Sequence, residues 1–145
     1  MADIPYGQIL VATDGSAPAT AAIDHAAGIA EAADAAVQLV HVVDRRIVVA
    51  ADDEMREELQ ESLRAEGEAL LEAAADRMTD VEHDGHLLSG TPSKEILSFA
   101  TDRDVDLIVI GRSGKSPREK LMGMGSVSER VVDGAPLPVL VVRED

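Results

Sequence analysis

Between residues 105 and 132 the chain gathers the residue types that could hold an anion. Leu107-Ile-Val-Ile-Gly111 is an apolar run flanked by acidic residues, the pattern of a strand buried on both faces. It leads into Gly111-Arg112-Ser113-Gly114, then a segment with Lys115, Arg118 and Lys120, then Gly125-Ser126. Arg112, Lys115, Arg118 and Lys120 are four of only thirteen basic residues in a chain of net charge −15. Ser126-Val-Ser-Glu129 has capping-box spacing and predicts a helix that starts at Ser126. A buried strand feeding a glycine-bearing loop that ends at a helix start suits a phosphate. Glycines let the backbone approach closely, and the first N–H groups and dipole of the helix favour negative charge.

Rival motifs fail on spacing. Gly114-Lys115-Ser116 matches the tail of a P-loop, but the first glycine of that motif would fall on Val109, inside the strand. Gly123-Met-Gly125 opens a dinucleotide fingerprint whose third glycine would fall on Ser128, with no strand immediately before it. His83-Asp84-Gly85-His86 offers two imidazoles and a carboxylate but no third firm metal ligand, so solvated edge-strand residues are the plainer reading. His41, inside a buried strand, and His25, near a helix's apolar face, read as satisfied core histidines. No Ser-His-Asp arrangement follows from spacing alone. Asp14, before a helix, reads either as a capping acid or as a carboxylate that orients a ligand. Ser126 can cap a helix and donate to a phosphate oxygen at once.

The elements that must position these groups follow in order. Gln8 to Thr13 is a short strand that stops at Asp14-Gly15-Ser16, and Pro18 opens a helix reaching about Ala33 with Ile23, Ala26, Ala27 and Ala30 on one face. Val37 to Val43 is a second, central strand, and Asp44 to Asp53 reads as a connecting loop. Met55, Leu59, Leu63, Leu70, Ala74 and Met78 mark the apolar face of a long helix. Val81 to Leu88 is an edge-like strand; Thr91-Pro92 caps a short helix carrying Ile96, Leu97 and Ala100. The central strand and its loop come next, then a helix from Ser126 to about Val132 and a last strand, Pro138 to Val142. Alternating strands and helices predict a doubly wound α/β fold, a five-stranded parallel sheet of order 3-2-1-4-5 with helices on both faces. Ligands in such sheets bind beyond the carboxyl ends of the strands, where strand order reverses. The loops at Asp14-Gly15, Val42 to Asp44, Gly90 to Pro92 and Gly111 should converge there.

At 145 residues the chain suits one domain, 1–145. It has no cysteine, so neither a disulfide framework nor a thiol nucleophile is available. No signal-peptide pattern opens it and no apolar run approaches ~18 residues, so a cytoplasmic location with no membrane partner is expected. An excess of 28 acids over 13 bases argues against nucleic acid as a partner. Acidity, ten arginines against three lysines and near-absent aromatics suit a high-salt cytoplasm, with an ordinary acidic protein as the plain alternative.

Together these residues resemble the universal stress protein family. Ala12-Thr13-Asp14-Gly15-Ser16, His41-Val42-Val43-Asp44 and Gly90-Thr91-Pro92 carry the likeness, as do Gly111-x-x-Gly114, Gly125-Ser126-Val-Ser-Glu-Arg-Val131 and the closing Pro136-Leu-Pro138-Val-Leu-Val-Val142. The match runs from about Tyr6 to Arg143, nearly the whole chain. The resemblance implies a Rossmann-like stress-response protein of the ATP-binding, glycine-motif branch, with ATP, bound with or without Mg²⁺, as its ligand; with the acidic composition, the expected source is a halophilic archaeon. It implies a homodimer through the last strand, Pro138 to Val142. Asp14 and the Val42 backbone would meet adenine and the nearby ribose; Gly111, Gly114, Gly125 and Ser126 would hold ribose and phosphates. Ala12, Thr13, Gly90, Arg112, Lys115 and Val127 complete the implied nucleotide-binding set. Ten residues separate Gly114 from Gly125 where the family pattern has nine, which places one extra residue within Lys115 to Met124. A scaffold with a vestigial pocket is the alternative, and any ATP hydrolysis would be slow.

Overall fold

The computed structural model describes residues 5–112 and 127–143. Ten elements follow one another: β1 (Gln8–Ala12), α1 (Ala17–Ala33), β2 (Ala36–Asp44), α2 (Arg45–Ala50), α3 (Asp53–Ala75), β3 (His83–Gly90), α4 (Pro92–Asp102), β4 (Leu107–Gly111), α5 (Val127–Gly134) and β5 (Val139–Val142). The strands form one parallel sheet of order β3-β2-β1-β4-β5, the doubly wound arrangement the alternating pattern predicts. Among the described helices, none is long and apolar enough to cross a membrane.

Alternate residues of the inner strands serve two cores. Ile9, Val11, Val37, Leu39 and Val109 face α1 and the end of α3, against Ala22, Ile23, Ala26, Ala30, Ala74 and, just past α3, Met78. Leu10, Val40, Ile108 and Ile110 face α4 and α5, against Ile96, Phe99 and Val131. Ile9, Leu10 and Val11 expose none of their surface, as a strand covered on both faces requires. The small side chains of α1 let its backbone lie close to the sheet. Asp34, in the left-handed conformation at φ 56°, ends that helix by donating its N–H to the Ala30 carbonyl. The Asp106 carboxylate accepts N–H bonds from Gly7 and Gln8 at 2.8 and 2.9 Å and so fixes the start of β4 against the start of β1.

Several boundaries and environments differ from the sequence reading. The expected loop from Asp44 to Asp53 contains α2, none of whose residues is buried. Polar groups rather than core contacts hold it: Asp44 caps its first turn through the Arg46 N–H. Arg56 donates from Nε and Nη2 to the Ala51 and Val49 carbonyls at its far end. In α3 only Gly67 and Ala74 are buried, and Met55 is 54% exposed, so the front of the expected apolar face lies outside the core. The third strand begins two residues later than expected, at His83, and is indeed an edge strand. His25 is exposed, not in the core; its ring lies two residues past Ile23 and donates from Nδ1 to the Ala21 carbonyl at 2.9 Å.

Candidate functional site

A cleft of about 250 Å³ opens at the carboxyl ends of β1, β2 and β4. β1 pairs with β2 on one side and β4 on the other, and the chain crosses to opposite faces of the sheet from this point. This is the switch point at which doubly wound sheets bind ligands.

The β1 end is a turn fixed by its own polar groups. The Thr13 N–H donates to the Val40 carbonyl at 2.9 Å, and Thr13 Oγ1 accepts the Gly15 N–H at 3.1 Å. Gly15 sits at φ +81°, a conformation that glycine adopts without strain. Asp14 Oδ1 accepts the Ser16 N–H at 2.9 Å, and Ser16 Oγ accepts the Ala19 N–H at 3.2 Å. Ser16, not Asp14, therefore caps α1, and the exposed Asp14 carboxylate orders the turn at the cleft. His41 Nδ1 donates to the Thr13 carbonyl at 2.7 Å, since a carbonyl oxygen can only accept. His41 is satisfied, as expected, but it is half-buried rather than a core residue, because its ring lies beside the cleft that it lines.

Val42 and Asp44 bring the end of β2 to the cleft, Pro92 and Ile96 the start of α4, and Ile110 and Gly111 the end of β4. A Cβ on Gly111 would lie 2.4 Å from the Pro18 carbonyl carbon. The glycine is thus required by the close approach of β4 to the first turn of α1, whatever the cleft binds. Of the expected site residues, Ala12, Thr13, Asp14, Val42, Gly111 and Val127 are brought together here. Gly90 and Arg112 are not among the lining residues: Gly90 faces the Glu95 side chain, and Arg112 is exposed, its N–H donating to the Val142 carbonyl at 2.8 Å. Gly114, Lys115, Gly125 and Ser126 lie outside the described residues. The sequence reading gave no site role to Ser16, His41, Ile96 and Ile110. Ile96 stands one helical turn beyond Pro92, and Ile110 one strand period beyond Ile108, so the two periodicities could have found both.

The electrostatics of the cleft balance two carboxylates against the starts of three helices of eight residues or more, while the six-residue α2 also begins at the lining residue Asp44. α1, α4 and α5 all begin there, through Ser16 and Ala19, Pro92 and Ile96, and Val127, and each presents its partly positive end. Asp44 is held by the Arg46 guanidinium, Nε donating to Oδ1 at 2.9 Å and Nη2 to Oδ2 at 2.7 Å. That hydrogen-bonded ion pair lowers the Asp44 pKa below the usual carboxylate value despite partial burial. The histidines of β3 are engaged separately, His83 Nδ1 donating to the Val81 carbonyl and His86 to Gln38 Oε1. Among the described residues, no group of three or more His, Cys, Asp or Glu is placed to hold a metal.

Known proteins share this architecture throughout. The model of the universal stress protein family matches residues 5–143. Universal stress protein MJ0531 of Methanocaldococcus jannaschii is 38% identical over 142 residues, covering 96% of this chain and 83% of its own. Among solved structures, the hypothetical protein MJ0577 superposes with a TM-score of 0.82 at 30% identity, over 98% of this chain and 99% of its own. A universal stress protein in complex with cAMP gives a TM-score of 0.75 at 25% identity, over 95% of this chain and 97% of its own. One from Archaeoglobus fulgidus in complex with dAMP gives 0.65 at 27%, over 96% and 99%. With its sheet order, the loops at its switch point and a family match over nearly its full length, the chain belongs to the universal stress protein family.

Proposed function

We propose that this chain binds ATP in the switch-point cleft and acts in the stress response as a cytoplasmic homodimer that senses or carries the nucleotide. The observation that carries the reading is the convergence of three helix starts on an apolar slot made by Val42, Ile96 and Ile110. Apolar walls suit a flat base, and helix N-termini suit the anionic end of the same ligand. At about 250 Å³ the cleft is close to the small end of ligand sites (~300–1,000 Å³), room for a base and part of its sugar. Solved relatives holding cAMP and dAMP supply the ligand class.

In this reading the base lies along Val42, with Ala12, Thr13 and Asp14 beside base and ribose. Phosphates run toward Gly111 and Val127 and, beyond the described residues, Gly114, Lys115, Gly125 and Ser126. Rapid hydrolysis would need a placed base or water-orienting group and usually Mg²⁺, so turnover is slow. The dimer reading rests on β5 being an edge strand with Leu140 36% exposed. The competing scaffold reading draws on Ile47, Val49 and Met55, whose apolar side chains are exposed on α2 and α3.

Calorimetric titration and melting with ATP·Mg, AMP and cAMP in molar KCl decide between them. Nucleotide at a hundredfold excess over Kd raises the stability of a native-only binder by ~2.7 kcal/mol, a readily measured shift in melting temperature. Asp14→Ala removes a charged acceptor worth roughly 1.5–3 kcal/mol and is expected to weaken ATP about tenfold or more without unfolding the chain, because the residue is exposed. No heat and no shift with millimolar nucleotide would leave the scaffold reading standing.

A further inference from the structure

We infer that Arg46 is a specificity-determining residue of the cleft: by holding Asp44 it cancels a carboxylate at the ligand's position and so permits an anionic ligand. The inference rests on the nucleotide reading above and adds to it a residue that does not line the cleft.

Asp14 and Asp44 are the acidic groups among the described lining residues, and that lining includes no lysine or arginine. The two carboxylates are not equivalent. Asp14 is exposed, so solvent screens it, whereas the Asp44 side chain is only 20% exposed and its charge acts through a less polarisable surrounding. Both Asp44 oxygens are occupied by the Arg46 fork, and Oδ1 also accepts the Arg46 N–H at 3.0 Å. A guanidinium fixed at two points by a residue two positions away, whose carboxylate also holds the Arg46 backbone N–H, is held in place before any ligand arrives. Among the described residues its neighbour Arg45 makes no comparable bond, although both open α2. The sequence thus places one arginine where it neutralises the cleft, in a chain whose acids outnumber its bases 28 to 13. Without Arg46, Asp44 would present a full negative charge to a phosphate-bearing ligand while leaving a neutral one nearly unaffected.

Adenosine, AMP and ATP provide a series in ligand charge. Their affinities are measured by calorimetry at low and molar KCl for the wild type, Arg46→Gln, Asp44→Asn and the double variant, with melting curves as the check on folding. Arg46→Gln is expected to weaken AMP roughly three- to tenfold and ATP more, to shift adenosine less than about twofold, and to lose most of its penalty in molar salt. Asp44→Asn keeps a good helix cap but leaves the guanidinium uncancelled, so it is expected to tighten AMP by a similar factor. The double variant should return AMP to within about twofold of the wild type. Two results overturn the inference alone: unchanged AMP and ATP affinity in Arg46→Gln, or a loss that Asp44→Asn fails to restore, which would mean that Arg46 grips the phosphate directly. If Arg46→Gln does not fold, Asp44→Asn alone decides, and weaker or unchanged AMP binding in it counts against the inference. A wild type that binds none of the three ligands overturns the nucleotide reading, and the role of Arg46 falls with it.

Discussion

His86 illustrates how a single side chain couples three strands and one helix to pH. Its Nε2 donates to Gln38 Oε1 at 2.7 Å, and Gln38 Nε2 donates to Gln8 Oε1 at 3.0 Å, a polar chain across β3, β2 and β1. The ring lies 4.8 Å from that of Phe99, over which the Arg103 guanidinium sits at 5.0 Å. Burial lowers the His86 pKa, Arg103 lowers it further, and Asp84 opposes them. The unfolded chain therefore takes up a proton near pH ~6.5 that the native chain refuses, and stability falls as the pH drops through that range. Urea unfolding between about pH 7 and pH 5 should show this slope in the wild type and a flatter one in His86→Gln, which keeps a donor for Gln38 but cannot be charged. An equal slope in both would assign the pH dependence elsewhere. None of this was legible in the sequence, where His83 and His86 read as solvated. The register that sets Val40 beside His86, and the fall of Phe99 onto the same face, depend on how β3 pairs with β2.

At the scale of elements, α3 depends on one glycine. Glycine inside a helix is less favourable than alanine by ~1 kcal/mol, so Gly67→Ala would stabilise α3 in isolation. In the fold, the added Cβ would lie 2.6 Å from Leu87 Cδ1 and 2.7 Å from His41 Cδ2. The Leu87 methyl can move. The His41 ring is tied to the Thr13 carbonyl, so strain passes to the turn that carries Asp14. Overpacking of this kind costs ~1–3 kcal/mol. We expect Gly67→Ala to lower the melting temperature and to weaken any ligand in the cleft; a rise in melting temperature would show that the helix gains more than the contact loses. The buried strands were legible because their apolar runs are continuous. α2 was not, because its six residues bury nothing and are held by Asp44 and by Arg56, which stands six positions beyond it. The front of α3 misled in the opposite sense: Met55, Leu59 and Leu63 keep a helical period, but the helix buries nothing before Gly67.

For the whole molecule, a charge of −15 on 145 residues sets the response to salt. The described ion pairs, Asp24–Arg77 and Asp44–Arg46 among them, leave most acids unmatched, and like charges on a compact surface repel. Screening relieves that repulsion, so the melting temperature should rise between dilute buffer and molar KCl; a flat response would exclude self-repulsion as a major cost. Topology was the most legible property of this chain, because alternating elements and right-handed crossovers leave few sheet orders for five strands. The cleft was legible as a set of loops at strand ends, but not in its walls, since Ile96 and Ile110 read only as core residues until the sheet brings them to one opening.

The clamp between Asp106 and the N–H groups of Gly7 and Gln8 has a consequence in time. It joins segments nearly a hundred residues apart, and β4 must reach β1 before Gly111 can press against Pro18 and close the cleft. Closing so long a loop carries an entropy cost that precedes the contacts offsetting it, so we expect the cleft to form late in folding. A cleft absent from the transition state gives a ligand nothing to hold there. A bound nucleotide would then lengthen the lifetime of the finished fold without hastening its assembly, making ligand supply a control on persistence rather than on production.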